Sequence, residues 1–303
     1  LAAEEARRYW AEMLERMRRE AEVLTQIRHR NIVRLYDTGT LNADLRFVVM
    51  EYLRGHSLRD ELVNRRKFPL SEALAHTITL ADALREIHSR GIVHRDLNPR
   101  NVMLCQTEAS DEPHVTPHTA APVLKLIDFG IARFPQPPGA PPFTQHSVLS
   151  GTVAYASPEQ CQNQPLDQRA DIYSLGIVLY EMLTGERPFT GRTPTEIALK
   201  QIQAAPPAPR TFVPELPLSL ERTLLRALAK NPAERQQRAD ELAEELRAIA
   251  QRVVVTLPEK SADTPLPLMP LPGVTPSHAV QPVTTGAEPD KPLFTAYPAT
   301  LAP

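Results

Sequence analysis

Cysteine is scarce: the 303 residues hold two, Cys105 and Cys161. Two thiols without paired spacing form neither a disulfide framework nor a thiolate metal cluster, and they fit a reducing, cytoplasmic setting. The nine histidines show no metal-ligand spacing either. An excess of one charge is also missing. With 34 basic and 36 acidic residues the net charge is −2, so no global field favours nucleic acid or an anionic membrane. Long apolar runs are absent: the longest, Ile172–Leu183, is broken by Tyr180 and Glu181. A bilayer span needs about 20 apolar residues, so a membrane span is not expected in this chain. No signal peptide precedes the first helical pattern, and a start at Leu1 in place of methionine is what a fragment would have. Glycine is thin at 11 residues, and no Gly-x-Gly occurs among them.

Proline is plentiful, and it sets the main boundary. Eleven of the 31 prolines lie between Pro258 and Pro303, where apolar periodicity disappears. Residues 253–303 therefore read as a Pro-rich disordered tail, and residues 1–252 as a folded domain. Trp10, Leu14, Met17, Ala21 and Leu24 recur at helical spacing. Asn31–Leu35 and Phe47–Glu51 read as strands, with Gly39 and Asn42 in the turn between them. Ser57 is placed to cap a short helix, with Asp60 and Glu61 in its first turn. Ser71 opens a longer one with Leu74, Ile78, Ala81, Leu84 and Ile87 on one face, stopped at Gly91. Val102–Leu104 and Val123–Ile127 are strand-like and flank a polar insert with Pro113, Pro117 and Pro122. A long proline-rich loop follows Asp128, and Asp167–Val253 reads helical. Thr193-Pro194-Thr195-Glu196 has the form of a capping box with proline at the first helical position.

One constellation carries chemistry. Transfer of a phosphoryl group needs a carboxylate to orient the attacking hydroxyl, oxygen ligands for Mg²⁺, and donors for the developing charge. His94-Arg95-Asp96-Leu97-Asn98-Pro99-Arg100-Asn101 follows the helix that ends at Gly91. Asp96 can accept the proton of a hydroxyl, and the Asn101 side chain offers the hard oxygen that Mg²⁺ prefers. Asp128-Phe129-Gly130 follows a strand, so its carboxylate can supply the second metal ligand while Gly130 lets the backbone turn. Each triplet alone is common; the ordered pair is not.

These ordered motifs resemble those of the protein kinase family, and most of all the bacterial eukaryotic-type serine/threonine kinases. The resemblance runs from about Ala3 to Ala250. It implies an α+β, protein-kinase-like fold: a mostly helical C-lobe over 54–252 and a partial N-lobe over 1–53. It also implies ATP and Mg²⁺ as cofactors, transfer of the γ-phosphoryl group to Ser/Thr hydroxyls, and a protein substrate, and it leaves the oligomeric state open. Residue by residue, Glu20 corresponds to the helix glutamate that pairs with a nucleotide-binding lysine. Glu51 and Leu53, in Met50-Glu51-Tyr52-Leu53, correspond to the adenine-bonding hinge, and Met103 to the residue beneath adenine. Asp96 is the implied catalytic aspartate, with Asn101 and Asp128 as metal ligands. His94 and Phe129 are packing residues expected to stack with Leu24 and Leu35. Asp171 corresponds to the buried brace of the catalytic loop. Glu159, in Ser157-Pro158-Glu159, and Arg235 are an expected buried pair. The loop hydroxyls Thr144, Ser147 and Ser150 lie where a phosphate would meet Arg95, Thr144 being the first choice, and Thr152 is an expected substrate-positioning residue.

Two departures qualify the resemblance. The glycine-rich loop and strand lysine, which precede the Glu20 helix in that family, do not occur in these 303 residues, so little phosphotransfer is expected of the chain as given. Asn98 stands where the family places a catalytic-loop lysine, and an amide donates without carrying charge. The alternative is a pseudokinase or truncated fragment that binds proteins without catalysis. Asp96, Asn101 and Asp128 together argue for the enzyme.

Overall fold

Helix α1 is seen from residue 18 to 26; Ala21 and Leu24 on it, and Ile27 just past its end, are buried. The computed structural model describes residue 15 and residues 18–42, 45–106, 122–129 and 151–256. The earlier part of the expected first helix, the 107–121 insert, Gly130, Thr144, Ser147, Ser150 and the tail beyond 256 lie outside the described residues.

After α1 the chain does not form the strand expected over 31–35. Ile32 makes one parallel bridge to Leu126, Val33 N–H donates to Leu126 O, and Leu126 N–H donates to Asn31 O. Burial of Ile32 and Val33 accounts for that apolar run without a ladder. The strand begins where the run ends. Strands β1 (Leu35–Asn42) and β2 (Leu45–Met50) pair antiparallel, with register shifts between Leu35 and Asp37 and between Thr40 and Asn42. Gly39 is therefore mid-strand, opposite Phe47, rather than in the turn. A Cβ at Gly39 would sit 2.4 Å from the Phe47 ring, so glycine is what lets the ring lie across the partner strand.

Strand β3 (Gly55–Ser57) leads directly into helix α2 (Leu58–Arg65). Ser57 forms a reciprocal capping box with Asp60, satisfying two orphan donors at once. Helix α3 (Leu70–His88) starts one residue before Ser71, with Pro69 at its N-cap. It stops as the sequence predicts: Gly91 has φ +72, Gly91 N–H reaches His88 O, and Ile92 N–H reaches Ile87 O. That pair of bonds is a Schellman motif, which needs a left-handed residue. Strands β4 (Val102–Cys105) and β5 (Val123–Leu126) complete a three-stranded antiparallel sheet in the order β3-β4-β5.

The rest is helical: α4 (Pro158–Cys161), α5 (Gln168–Thr184), α6 (Pro194–Gln203), α7 (Leu218–Ala227) and α8 (Ala239–Thr256). Every residue of α5 from Ala170 to Leu183 is buried, the polar Asp171, Ser174 and Glu181 among them. It packs against α3 and α7, while α3 also packs on α8. At α6 Thr193 caps Glu196 N–H, but the Glu196 carboxylate bonds Arg192 N–H and not the cap residue, so the box is only half closed.

Candidate active site

The catalytic-loop segment is held from below. Asp171, on the first turn of the buried α5, accepts from His94 N–H at 2.8 Å, from Arg95 N–H at 2.9 Å and from the His88 ring at 2.7 Å. Burial pushes the Asp171 carboxyl up, but the His88 bond and the neighbouring donors outweigh it, and the net shift is down. The aspartate therefore stays ionised in a dry site. This fixes a strained stretch: Arg95 has φ 65, a left-handed angle that a non-glycine residue adopts at a cost. Gln160 adds a bond from its side-chain amide to Arg95 O at 2.6 Å.

On that platform two asparagines grip Asp96. Asn101 Nδ2 donates to Asp96 O at 2.8 Å and to Oδ2 at 3.1 Å. Asn98 Nδ2 donates to Asp96 O at 2.9 Å and to Oδ1 at 3.2 Å, while its Oδ1 accepts from Arg100 N–H. Asn98 thus caps the 99–101 turn and faces Asp96. Its amide is committed inside the loop, unlike a long cation reaching outward. Asp96, Asn98 and Asn101 are all buried.

Asp128 follows β5 by two residues, next to Ile127, whose N–H donates to Asn101 O; it has φ 55 and is exposed. The rings of His94 and Phe129 are 5.2 Å apart, and Phe129 shares the core with Leu24 and Leu35. Burial pulls the His94 ring below the ordinary histidine value. Asn101 and Asp128 are the residues that fit a divalent ion. Asn101 turns its NH₂ onto Asp96, leaving its carbonyl oxygen for a ligand, and Asp128 presents an exposed carboxylate. Both are hard oxygen donors of the kind Mg²⁺ takes.

Among the described residues, the partner of Glu20 is an arginine. Its carboxylate takes both terminal nitrogens of Arg95, at 2.9 and 3.2 Å. The guanidinium expected to await a loop phosphate is thus engaged by α1. At the other edge, Glu51 accepts from Lys125 Nζ at 2.6 Å and from Arg34 N–H at 2.8 Å, and its own N–H donates to Arg34 O. Leu53 packs partly buried against the core, and Met103 sits in β4 opposite Ser57 and Lys125. Thr152 falls in the 151–155 turn, its side chain outside the described residues. Glu159 and Arg235 meet as a buried fork at 2.7 and 2.8 Å. Arg235 also donates to Ala229 O, Arg169 O and Lys230 O, which completes its hydrogen-bonding capacity.

The structure adds His88, Gln160 and Lys125 to the residues singled out from the sequence. Gln160 carried a signal, the Ser-x-x-Gln spacing from Ser157, which does form a capping box. His88 and Lys125 carried none, since their partners lie 83 and 74 residues away.

A profile for the protein kinase domain matches residues 3–249, and the chain belongs to that family. Among its curated relatives is a probable serine/threonine-protein kinase of Streptomyces coelicolor, 39% identical over 236 residues, covering 77% of this chain and 33% of the relative. The serine/threonine-protein kinase PknB of Mycobacterium tuberculosis is 38% identical over 234 residues, covering 76% of this chain and 35% of the relative. The chain thus spans about a third of the length of these relatives. The crystal structure of the Mycobacterium tuberculosis PknI kinase domain superposes with a TM-score of 0.58 at 29% identity, covering 78% of this chain and 79% of that one. The fold is accordingly the α+β protein kinase fold. No helix among the described residues is long and apolar enough to cross a membrane.

Proposed function

We propose that the chain supplies the catalytic loop and large lobe of a serine/threonine protein kinase, which moves the γ-phosphoryl group of ATP to Ser or Thr hydroxyls of proteins. The observation that carries this reading is the Asp96 carboxylate, fixed by two asparagine amides on a loop braced by Asp171. Such a carboxylate orients an acceptor hydroxyl and takes its proton, the positioning role that this chemistry demands. Asn101 and Asp128 would hold Mg²⁺, which when bound neutralises phosphate charge. The backbone groups of Glu51 and Leu53 would bond adenine, with Met103 packed beneath it. Glu20, His94 and Phe129 would shape the site around them, and Gly130 is the glycine proposed to free the turn after Asp128. Asn98 acts as a positioning residue for Asp96. Thr144 and Ser147 are the proposed phosphorylation sites and Thr152 a substrate-positioning residue. A loop phosphate would have to draw Arg95 away from Glu20. The proposed division is a kinase domain over 1–252, small lobe to 53, and a tail after it, with α8 carrying the folded part four residues past that boundary to Thr256.

The test is phosphotransfer by the full-length protein from labelled Mg-ATP to a basic protein substrate, followed by phosphoamino-acid analysis. Asp96→Asn should lower turnover by about 10²–10⁴-fold with the fold intact. Turnover unchanged in that variant would sink the assignment, and nucleotide or partner binding without any turnover would favour a non-catalytic module.

A further inference from the structure

Away from Asp96, the end of α2 and the turn after α5 enclose a cavity of about 310 Å³ whose charged lining is Arg59, Arg66, Arg187, Glu181 and Glu186. Three arginines line one cavity, and their charges repel one another unless anions answer them. Glu181 answers only one. Its buried carboxylate accepts from Arg59 at 3.0 Å and from the Tyr155 hydroxyl at 2.5 Å. Among the described residues, no carboxylate lies within ion-pair distance of Arg66 or Arg187, and Glu186 is exposed to solvent.

The backbone at Arg66 points the same way. Lys67 N–H donates to Arg65 O at 2.8 Å, closing a three-residue turn around Arg66 at φ 64, ψ −54. That conformation is rare and strained for a residue with a side chain. It is held from outside: Phe68 N–H donates to Met182 O, and Gly185 at φ +78 comes so near that a Cβ would sit 3.3 Å from Arg66 O. A glycine at position 66 would take this conformation without strain, so the arginine side chain is placed there at a backbone cost.

The cavity is coupled to the catalytic loop through its walls. Tyr155 closes the 151–155 turn, five residues before Gln160, which bonds Arg95 O. Helix α2 packs on the 99–101 turn that carries Asn101.

We propose that Arg66 and Arg187 form an anion subsite that takes a carboxylate or phosphate group on the protein substrate, a few residues from the acceptor hydroxyl. Assigning it to the substrate rests on the kinase reading; the anion site itself rests on the cavity. A guanidinium fork suits both oxyanions, and phosphate, with more charge, should be held more tightly.

Binding is read by fluorescence anisotropy on the full-length protein without nucleotide, so the outcome is independent of phosphotransfer. The probes are a labelled peptide with one phosphoserine beside an acceptor threonine, the same peptide with serine or aspartate in place of the phosphoserine, and inorganic phosphate as competitor. The phosphoserine peptide should bind about tenfold or more tighter than the serine peptide, the aspartate peptide falling between. Arg66→Gly and Arg187→Ala should each weaken it by about tenfold. Arg66→Gly should not lower the melting temperature, which separates lost charge from lost fold. Glu186→Gln should tighten binding. Equal affinity for phosphoserine and serine peptides, or indifference to both arginine variants, would overturn the proposal. Inorganic phosphate that competes at the same concentration as the phosphopeptide would reduce the site to a free-ion site and overturn the substrate assignment.

Discussion

At the residue scale the fold depends on a few buried charges whose partners are complete. Arg235 is fully buried, forks onto Glu159, and spends its remaining donors on three carbonyls. Removing either partner strands the other charge in a dry site, at a cost of about 3–5 kcal/mol. Glu159→Gln and Arg235→Met should each lower unfolding free energy in urea by that amount, and a loss under about 1 kcal/mol would show the pair to be solvated. The buried histidines set the acid limit. Burial pulls both His94 and His76 below the ordinary value, so near pH 6 the folded chain binds fewer protons than the unfolded one. Stability is then complete above the unfolded histidine value of about 6.5 and is lost as pH falls below it. The urea midpoint should drop between pH 7.5 and 5.5. His76→Leu, which removes a ring whose Nε2 lies 3.6 Å from a Glu72 carboxylate oxygen, beyond hydrogen-bond range, should flatten part of that slope. An unchanged slope would rule out His76 as a contributor.

At the element scale, legibility followed the range of the interactions. The Ser57 cap and the Gly91 stop were readable because each is closed within a few residues, whereas the equally local Ser157–Gln160 box went unread. Asp96, Asn101 and Asp128 were readable because their order and spacing are themselves a pattern. Asn31–Val33 was misread because an apolar run is equally consistent with a strand and with an extended segment bridged once to β5. Gly39 was misread because a glycine facing a cross-strand ring looks like a turn glycine in one dimension. The Glu20–Arg95 pair was out of reach, because 75 residues separate the partners. Gly91 offers a direct check on the readable class. No atom lies within 4 Å of a Cβ added there, so only φ +72 opposes a side chain. Gly91→Ala should cost about 1–2 kcal/mol by denaturant unfolding, and a neutral outcome would mean that the helix ends by other means.

At the scale of the whole molecule, apolar surface is distributed unevenly. The large helical part buries α5 on every side, whereas β2 leaves Phe47, Val48, Val49 and Met50 all exposed. A strand alternates its side chains between two faces, so four exposed residues in a row mean that neither face is fully covered. Tyr36 in β1 and Tyr52 just after β2 extend the patch. A two-stranded sheet is marginal by itself in water, and uncovered apolar strands invite pairing with another chain. The 303-residue chain should therefore bind an apolar-surface dye in its folded state and should associate as its concentration rises. Val48→Lys and Met50→Lys place charges on the exposed strand without touching the core around α5. The double variant should lose dye binding and scatter less light while its melting temperature changes little. Equal association of the two proteins would move the sticky surface elsewhere. A monodisperse parent that binds no dye would mean that this sheet is stable as it stands.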